Sequence, residues 1–189
     1  MFNRFFGSKS GSAAPATPPP TAAQTQAGDT ATVRRIVATL EAMPPERARL
    51  IASAAYTLAR AANADLDISD EETAAIEAEL QDHKALDEPT AVLVTEMAKL
   101  QAKTVGGTED YVVTREFKAL ADKAQRLVVM RACFAVTAAN GTISAEETAV
   151  LSQIAGELDI EDPELNVIRA DFHERFSAVQ EIRRVTGPA

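Results

Sequence analysis

From Asp29 onward, apolar residues recur at helical spacing. Asp29 or Thr30 can cap a short first helix, which Met43-Pro44-Pro45 ends near Ala42. A second helix runs from about Pro45 to Ala62. It carries Leu50, Ile51, Ala54, Ala55 and Leu58 on one face, with Arg47, Arg49 and Arg60 off it. A third spans about Asp70 to His83, with Ile76 and Leu80 inward. Asp87-Glu88-Pro89 then restarts the chain, because proline suits a first helical turn. The fourth helix reaches about Lys103 with Leu93, Met97 and Leu100 in step, and Val105-Gly106-Gly107-Thr108 reads as a loop.

The second half repeats this order. A helix or pair of helices covers about Tyr111 to Ala121, with a break near Asp122. The next, to about Ala139, contains LVVMRACFAV, is apolar nearly all round and is expected at the centre of the bundle. A helix from about Ala145 to Leu158 turns Val150, Leu151, Ile154 and Leu158 inward. Glu161-Asp162-Pro163 restarts the chain, and one long last helix carries Leu165, Ile168, Phe172, Phe176 and Val179 as a stripe towards Arg184. No Gly/Pro-rich linker divides the halves, and each is too small to be comfortable alone. The pattern predicts a single all-α domain over residues 29–186, a bundle of about seven to eight helices built from two pseudo-twofold repeats.

Residues 1–28 lie outside that pattern. Their core, SKSGSAAPATPPPTAAQTQAG, is too small, polar and proline-rich to order itself. In front of it, Met1 to Gly7 reads MFNRFFG, an aromatic peptide suited to weak contact with a membrane surface or a partner.

Composition agrees with a helical bundle: Ala, Leu, Glu and Val are plentiful and Trp is absent. The formal charge of −9 argues against nucleic acid as a partner, since phosphates call for a basic face. The charge is also uneven. Between Arg60 and Lys84 there is no Lys or Arg, while Asp65, Asp67, Asp70, Glu71, Glu72, Glu77, Glu79 and Asp82 all fall there. Asp70, Glu71, Glu77 and Glu79 are the candidate partner-binding acids of that helix. A lone Cys133 excludes an intrachain disulfide, and with His83 and His173 as the only histidines a zinc site is not expected. No apolar run approaches a membrane span and no signal-peptide core is visible, so a cytoplasmic protein is expected.

Two loop-to-helix junctions carry the candidate chemistry. NADLDISDEET starts at Asn63 and NGTISAEET at Asn140; aligned on Asp65 and Asn140, both read Asp/Asn-x-x-Ile-Ser-x-Glu-Glu-Thr. Ser69-x-x-Glu72 and Ser144-x-x-Glu147 are capping boxes, each worth about 1 kcal/mol. Capping leaves Asn63, Asp65 and Asp67 unexplained. The later half of an EF-hand loop reads Asp/Asn-Gly-x-Ile-x-x-x-Glu; Asn140, Gly141, Ile143 and Glu147 fit it, as do Asp65, Ile68 and Glu72 without the glycine, but Ala61 and Val136 stand where the first acidic ligand belongs. Two half-loops meeting across a twofold could pool Asp65, Asp67, Glu72, Asn140 and Glu147 around one divalent cation. The all-oxygen donors favour Ca²⁺ or Mg²⁺.

The halves ARAANADLDISDEE and AVTAANGTISAEE resemble the twice-repeated A-x-A-D-G-x-I-x-x-x-E signature of the TerB family of bacterial tellurite-resistance proteins. The resemblance covers about Arg47 to Glu174, proline restarts included. It implies an all-helical bundle, an acidic cluster suggested to bind metal, and a part in a stress-response complex at the inner face of the membrane. The signature's acids fall on Asp65, Glu72 and Glu147. Leu66 replaces the family's Gly and Asn140 its Asp, which lowers the charge of the second copy. The expected function is a TerB-like interaction module under divalent-cation control. The alternatives are a metal-free adaptor whose acidic helix docks on a basic partner and, remotely, a carboxylate-dependent hydrolase. No nucleophile motif, phosphate loop or basic clamp accompanies the carboxylates, so an enzyme is not expected.

Overall fold

A computed structural model of the chain describes residues 22–62, 68–82, 87–102, 110–139 and 141–186. Among these residues there are nine α-helices, one 3-10 turn and no strand. They are α1 (Ala22–Glu41), α2 (Pro45–Ala61), α3 (Asp70–Asp82), α4 (Glu88–Ala102), α5 (Asp110–Leu120), α6 (Lys123–Ala138), α7 (Ala145–Glu157), α8 (Asp162–Asp171), the 3-10 turn His173–Arg175 and α9 (Ser177–Thr186). The chain divides into two compact units, residues 1–35 and 36–189. The first contributes the opening turns of α1 and the second holds everything else. No described helix is long and apolar enough to cross a membrane.

α1 starts at Ala22, ahead of the Asp29 or Thr30 cap expected for it. The reason is local: Ala22-Ala23-Gln24 and Gln26-Ala27 are good helix formers, which a tail-like composition had hidden. α2 opens with Pro45 at its first position, where a missing N–H costs nothing. Its later turns are then buried all round, from Ser53 to Ala61 except Tyr56. Ser53 and Thr57 tolerate this because each hydroxyl donates back to a carbonyl of its own helix, Arg49 at 2.7 Å and Ser53 at 2.9 Å.

α2 packs against α4, α5, α6 and α7, so it shares the centre of the bundle with α6. The two run parallel. The Cys133 thiol lies 3.9 Å from the Thr57 carbonyl, and the Thr137 hydroxyl 3.4 Å from that of Ala61, the same shift along the chain in both pairs. The exchange is reciprocal, since α3 packs on α6 and α7 on α2. Both loops that follow the central helices therefore leave from one end of the pair. The α5–α6 break falls at Asp122, which forms a capping box with Gln125: its Oδ1 accepts from the Gln125 amide at 2.8 Å and its own N–H donates to Gln125 Oε1 at 2.9 Å.

The long last helix expected from the apolar stripe is instead α8, the 3-10 turn and α9. Phe172 and Phe176 both turn onto Phe134 of α6, with ring centroids 5.6 Å and 6.4 Å away. The backbone between them pairs with Ile143: the Ile143 N–H donates to the Arg175 carbonyl at 2.7 Å, and the Ser177 N–H to the Ile143 carbonyl at 2.9 Å. A continuous helix would have its own carbonyls in those places. Tertiary partners outweigh the periodicity here.

Candidate functional site

The second junction can be built atom by atom. Gly141 takes φ of +96°, a conformation that glycine alone adopts without strain, and its N–H donates to the Ala138 carbonyl at 2.9 Å. Ile143 is fully buried and paired to Phe176 by an isolated parallel bridge. Ser144 caps α7: its Oγ accepts from the Glu147 amide at 3.1 Å, while Glu147 Oε2 accepts from the Ser144 amide at 2.7 Å. The Thr148 hydroxyl donates to the Ser144 carbonyl at 2.7 Å. That accounts for Ile, Ser, Glu and Thr of the repeated string.

A third element then closes this loop. Gln180 of α9 donates from Nε2 to the carbonyls of Gly141 at 3.0 Å and Glu174 at 3.2 Å, and its Oε1 accepts from the Thr142 hydroxyl at 3.1 Å. The Arg175 guanidinium lies against Gly141, 3.9 Å from where a Cβ would stand. One Glu147 oxygen and the Gly141 carbonyl are thus already engaged, beside a fixed positive charge. This donor set, taken by itself, does not fit a divalent cation, which needs several free oxygens. Asn140 lies outside the described residues.

The first junction repeats the helix start. Ile68 is 2 % exposed, and Ser69 takes the capping position ahead of α3. The Thr73 hydroxyl donates to the Ser69 carbonyl at 2.7 Å, matching Thr148 on Ser144. Asn63, Asp65 and Asp67 lie outside the described residues, as does the side chain of Glu72, which sits in the first turn of α3. Among the described residues, no three His, Cys, Asp or Glu side chains come close enough to share a metal. Of the acids expected to bind a partner, Asp70 has its side chain 99 % exposed and 3.5 Å from Lys99. Glu71 is exposed as well. Glu77 and Glu79 are half-buried, and one Glu79 oxygen is enclosed. The acidic face therefore centres on the start of α3. The Met1 to Gly7 peptide and His83 also lie outside the described residues, and His173 is exposed.

One charged site went unforeseen. Arg60, expected off the apolar face of α2, is 6 % exposed. It forms a bidentate pair with Glu157 of α7, at 2.5 Å and 3.2 Å, and donates to the Thr114 hydroxyl of α5 at 3.2 Å. Gln153 Nε2 completes the carboxylate's contacts at 3.0 Å. The signal was available: the small residues Ser53, Ala54, Ala55, Thr57, Ala59 and Ala61 surround α2 and mark it as buried on every side. An arginine there needs a carboxylate. Cys133, on the neighbouring helix, is fully enclosed, and burial pushes its thiol up to about 12 against the opposing pull of Arg60. It is a core thiol, not a reactive one.

At the two proline restarts, acids anchor the following helices. Asp87 Oδ1 accepts from the Thr90 amide at 3.1 Å, and Asp87 lies 3.5 Å from Arg47 in the first turn of α2. Glu164 lies 2.6 Å from Lys123 in the first turn of α6, and its Oε2 accepts from the Glu161 amide at 3.0 Å. The Thr90 and Lys123 hydrogen bonds, respectively, are the main reason both carboxyls are held below their ordinary range. Arg47 and Lys123 are related by the shift that relates Thr57 to Cys133, but their acids are not: Asp87 precedes Pro89 whereas Glu164 follows Pro163.

Comparison with curated proteins and with solved structures finds no match. The family model for tellurite resistance protein TerB matches residues 50–170, from within α2 to within α8 and across both junctions, and the chain belongs to the TerB family.

Proposed function

We propose that this TerB-family chain is a helical interaction module of a bacterial stress response of the tellurite type, working through its first junction and the start of α3. The observation that carries this reading is the unanswered negative charge there. From Asp65 to Asp82 the chain has acids and no base, and within it Asp70 and Glu71 stand exposed, with Lys99 the nearby cation at 3.5 Å. The mechanism is electrostatic. Neighbouring like charges on a helix repel by tenths of a kcal/mol per pair, and a bound cation or a basic partner would remove that repulsion. In this reading Asp65, Asp67 and Glu72 supply the oxygens for Ca²⁺ or Mg²⁺. Asn140 and Glu147 add little, because Gln180 and the Ser144 cap already engage their loop. Without a metal, the same acids dock directly on a basic partner.

Thermal unfolding with and without Ca²⁺, Mg²⁺ and Mn²⁺ tests the metal, on the parent chain, Asp65→Ala/Glu72→Ala and Glu147→Gln. A site at the first junction gives a saturable rise in Tm that the double variant loses and Glu147→Gln keeps, since binding to the native state adds RT ln(1 + [L]/Kd). An equal, unsaturable rise in all three means charge screening, and the docking reading then stands without a metal.

A further inference from the structure

α5 and α7 leave between them an open groove of about 550 Å³ that neither junction uses. Its walls are one stripe from each helix: Tyr111, Arg115 and Lys118, a turn apart along α5, and Gln153, Gly156 and Glu157 along α7. The groove is positive in a chain whose net charge is −9. Glu157 is neutralised by its buried pair with Arg60. Arg115 has no carboxylate partner among the described residues; its guanidinium lies over the Tyr111 ring, 5.3 Å from the centroid. Among the described residues, Lys118 is paired only with the exposed Asp159, 3.6 Å away. The floor at Gly156 is open, since a Cβ there would meet nothing within 4 Å. Beside Arg115, Tyr111 and Val112 stand 51 % and 64 % exposed, an apolar step shared with Glu116, whose carboxylate is paired with Arg49.

So open a groove would leave a small molecule largely in water, whereas small-molecule sites enclose most of their ligand. A segment of chain suits it better, with charged groups on the rim and an apolar group against the step. We propose that the α5/α7 groove docks a short acidic, amphipathic segment of a partner protein, its carboxylates on Arg115 and Lys118 and an apolar side chain against Tyr111 and Val112. This surface is separate from the acidic one on α3, so either can fail without the other.

Fluorescence anisotropy with a labelled peptide of Glu, Leu and Ala, about 12 residues and hence about 18 Å as a helix, tests this on the full chain. The comparison set is the parent, Arg115→Glu/Lys118→Glu and Gly156→Gln, with a Gln-for-Glu peptide and inorganic phosphate as controls. The groove predicts saturable binding that each variant weakens about tenfold or more at unchanged Tm. Gly156→Gln does so by filling the floor, with no change in charge. The Gln peptide should not bind, and phosphate at matched concentration should not compete. No saturable binding overturns the proposal, as does equal binding by parent and both variants. Displacement by phosphate would also overturn it, because the site would then be one for free anions.

Discussion

The two repeats are alike wherever the chain acts locally and differ wherever a third element reaches in. In both, a buried Ile precedes a capping Ser, and a Thr hydroxyl returns to that Ser carbonyl. In both, a base in the first turn of the central helix holds the acid of the proline restart, Arg47 with Asp87 and Lys123 with Glu164. The differences are equally specific. Arg60 stands where the second repeat has Val136, and among the described residues the second junction is wrapped by Phe176 and Gln180. Short-range hydrogen bonds explain why the string was kept twice. Long-range partners decide what each copy is free to do.

The largest effect should come from the Arg60 position, where the repeats diverge most. Glu157→Ala leaves the Arg60 guanidinium buried without the carboxylate that balances its charge, and breaking such a pair costs about 3–5 kcal/mol. Replacing both partners, as in Arg60→Met/Glu157→Leu, should recover most of that loss, because an apolar pair needs no desolvation of charge. Val136, already apolar, shows that the bundle accepts such a residue at the matching place. Urea unfolding of the single and double variants measures both steps. A cost below about 1 kcal/mol for Glu157→Ala would mean that the pair is solvated and the two repeats are equivalent there.

A middling effect is expected at the wrapped junction. Gln180→Ala removes three hydrogen bonds that tie α9 to Gly141, Thr142 and Glu174, a loss of about 1–2 kcal/mol. Amide exchange locates the change. The Ile143 N–H, which donates to the Arg175 carbonyl, should exchange faster, while the Thr73 N–H on Ser69 keeps its protection. If both speed up alike, the wrap is a property of the whole bundle rather than of the second copy.

Much of this was legible beforehand, for a physical reason. Helix starts, proline restarts and the apolar stripes of α2, α3, α4 and α7 depend on residues within a turn or two of one another. They fall close to where the spacing puts them, with α3 beginning at Asp70 and α7 at Ala145 as read. The TerB resemblance, carried by residues 47–174, agrees with the match over residues 50–170 for the same reason. What the pattern hid depends on distant partners. Phe172 and Phe176 sit on one helical stripe in sequence, yet Phe134 and Ile143 draw them into a turn. Arg60 looks solvent-facing by period and is buried because helices pack on every side of α2. Of the candidate site, Glu147 serves its cap, Asp70 and Glu71 are exposed, and Asp65, Asp67 and Asn140 fall outside the described residues.

The smallest effect tests a tether that both repeats make, from non-equivalent acids beside their proline restarts. Asp87 and Glu164 are both held below their ordinary values of 3.8 and 4.5. A carboxyl with a depressed folded-state pKa contributes stability that is complete above its unfolded value and is lost as pH falls through the folded one. Each tether should therefore hold at neutral pH and fade below about pH 4.5. Asp87→Asn keeps a good capping side chain, and Glu164→Gln keeps an acceptor for the Glu161 amide, so each removes the charge and little else. Asp87 is exposed and Glu164 half-buried at the surface, so the change is modest and salt should shrink it. Tm followed from about pH 6 to about pH 3 should fall less steeply in each variant than in the parent, and by similar amounts in the two. Unequal flattening would place the repeats' likeness in the backbone alone. An acid limb unchanged in both variants would mean that Arg47 and Lys123 hold their partners too loosely to matter.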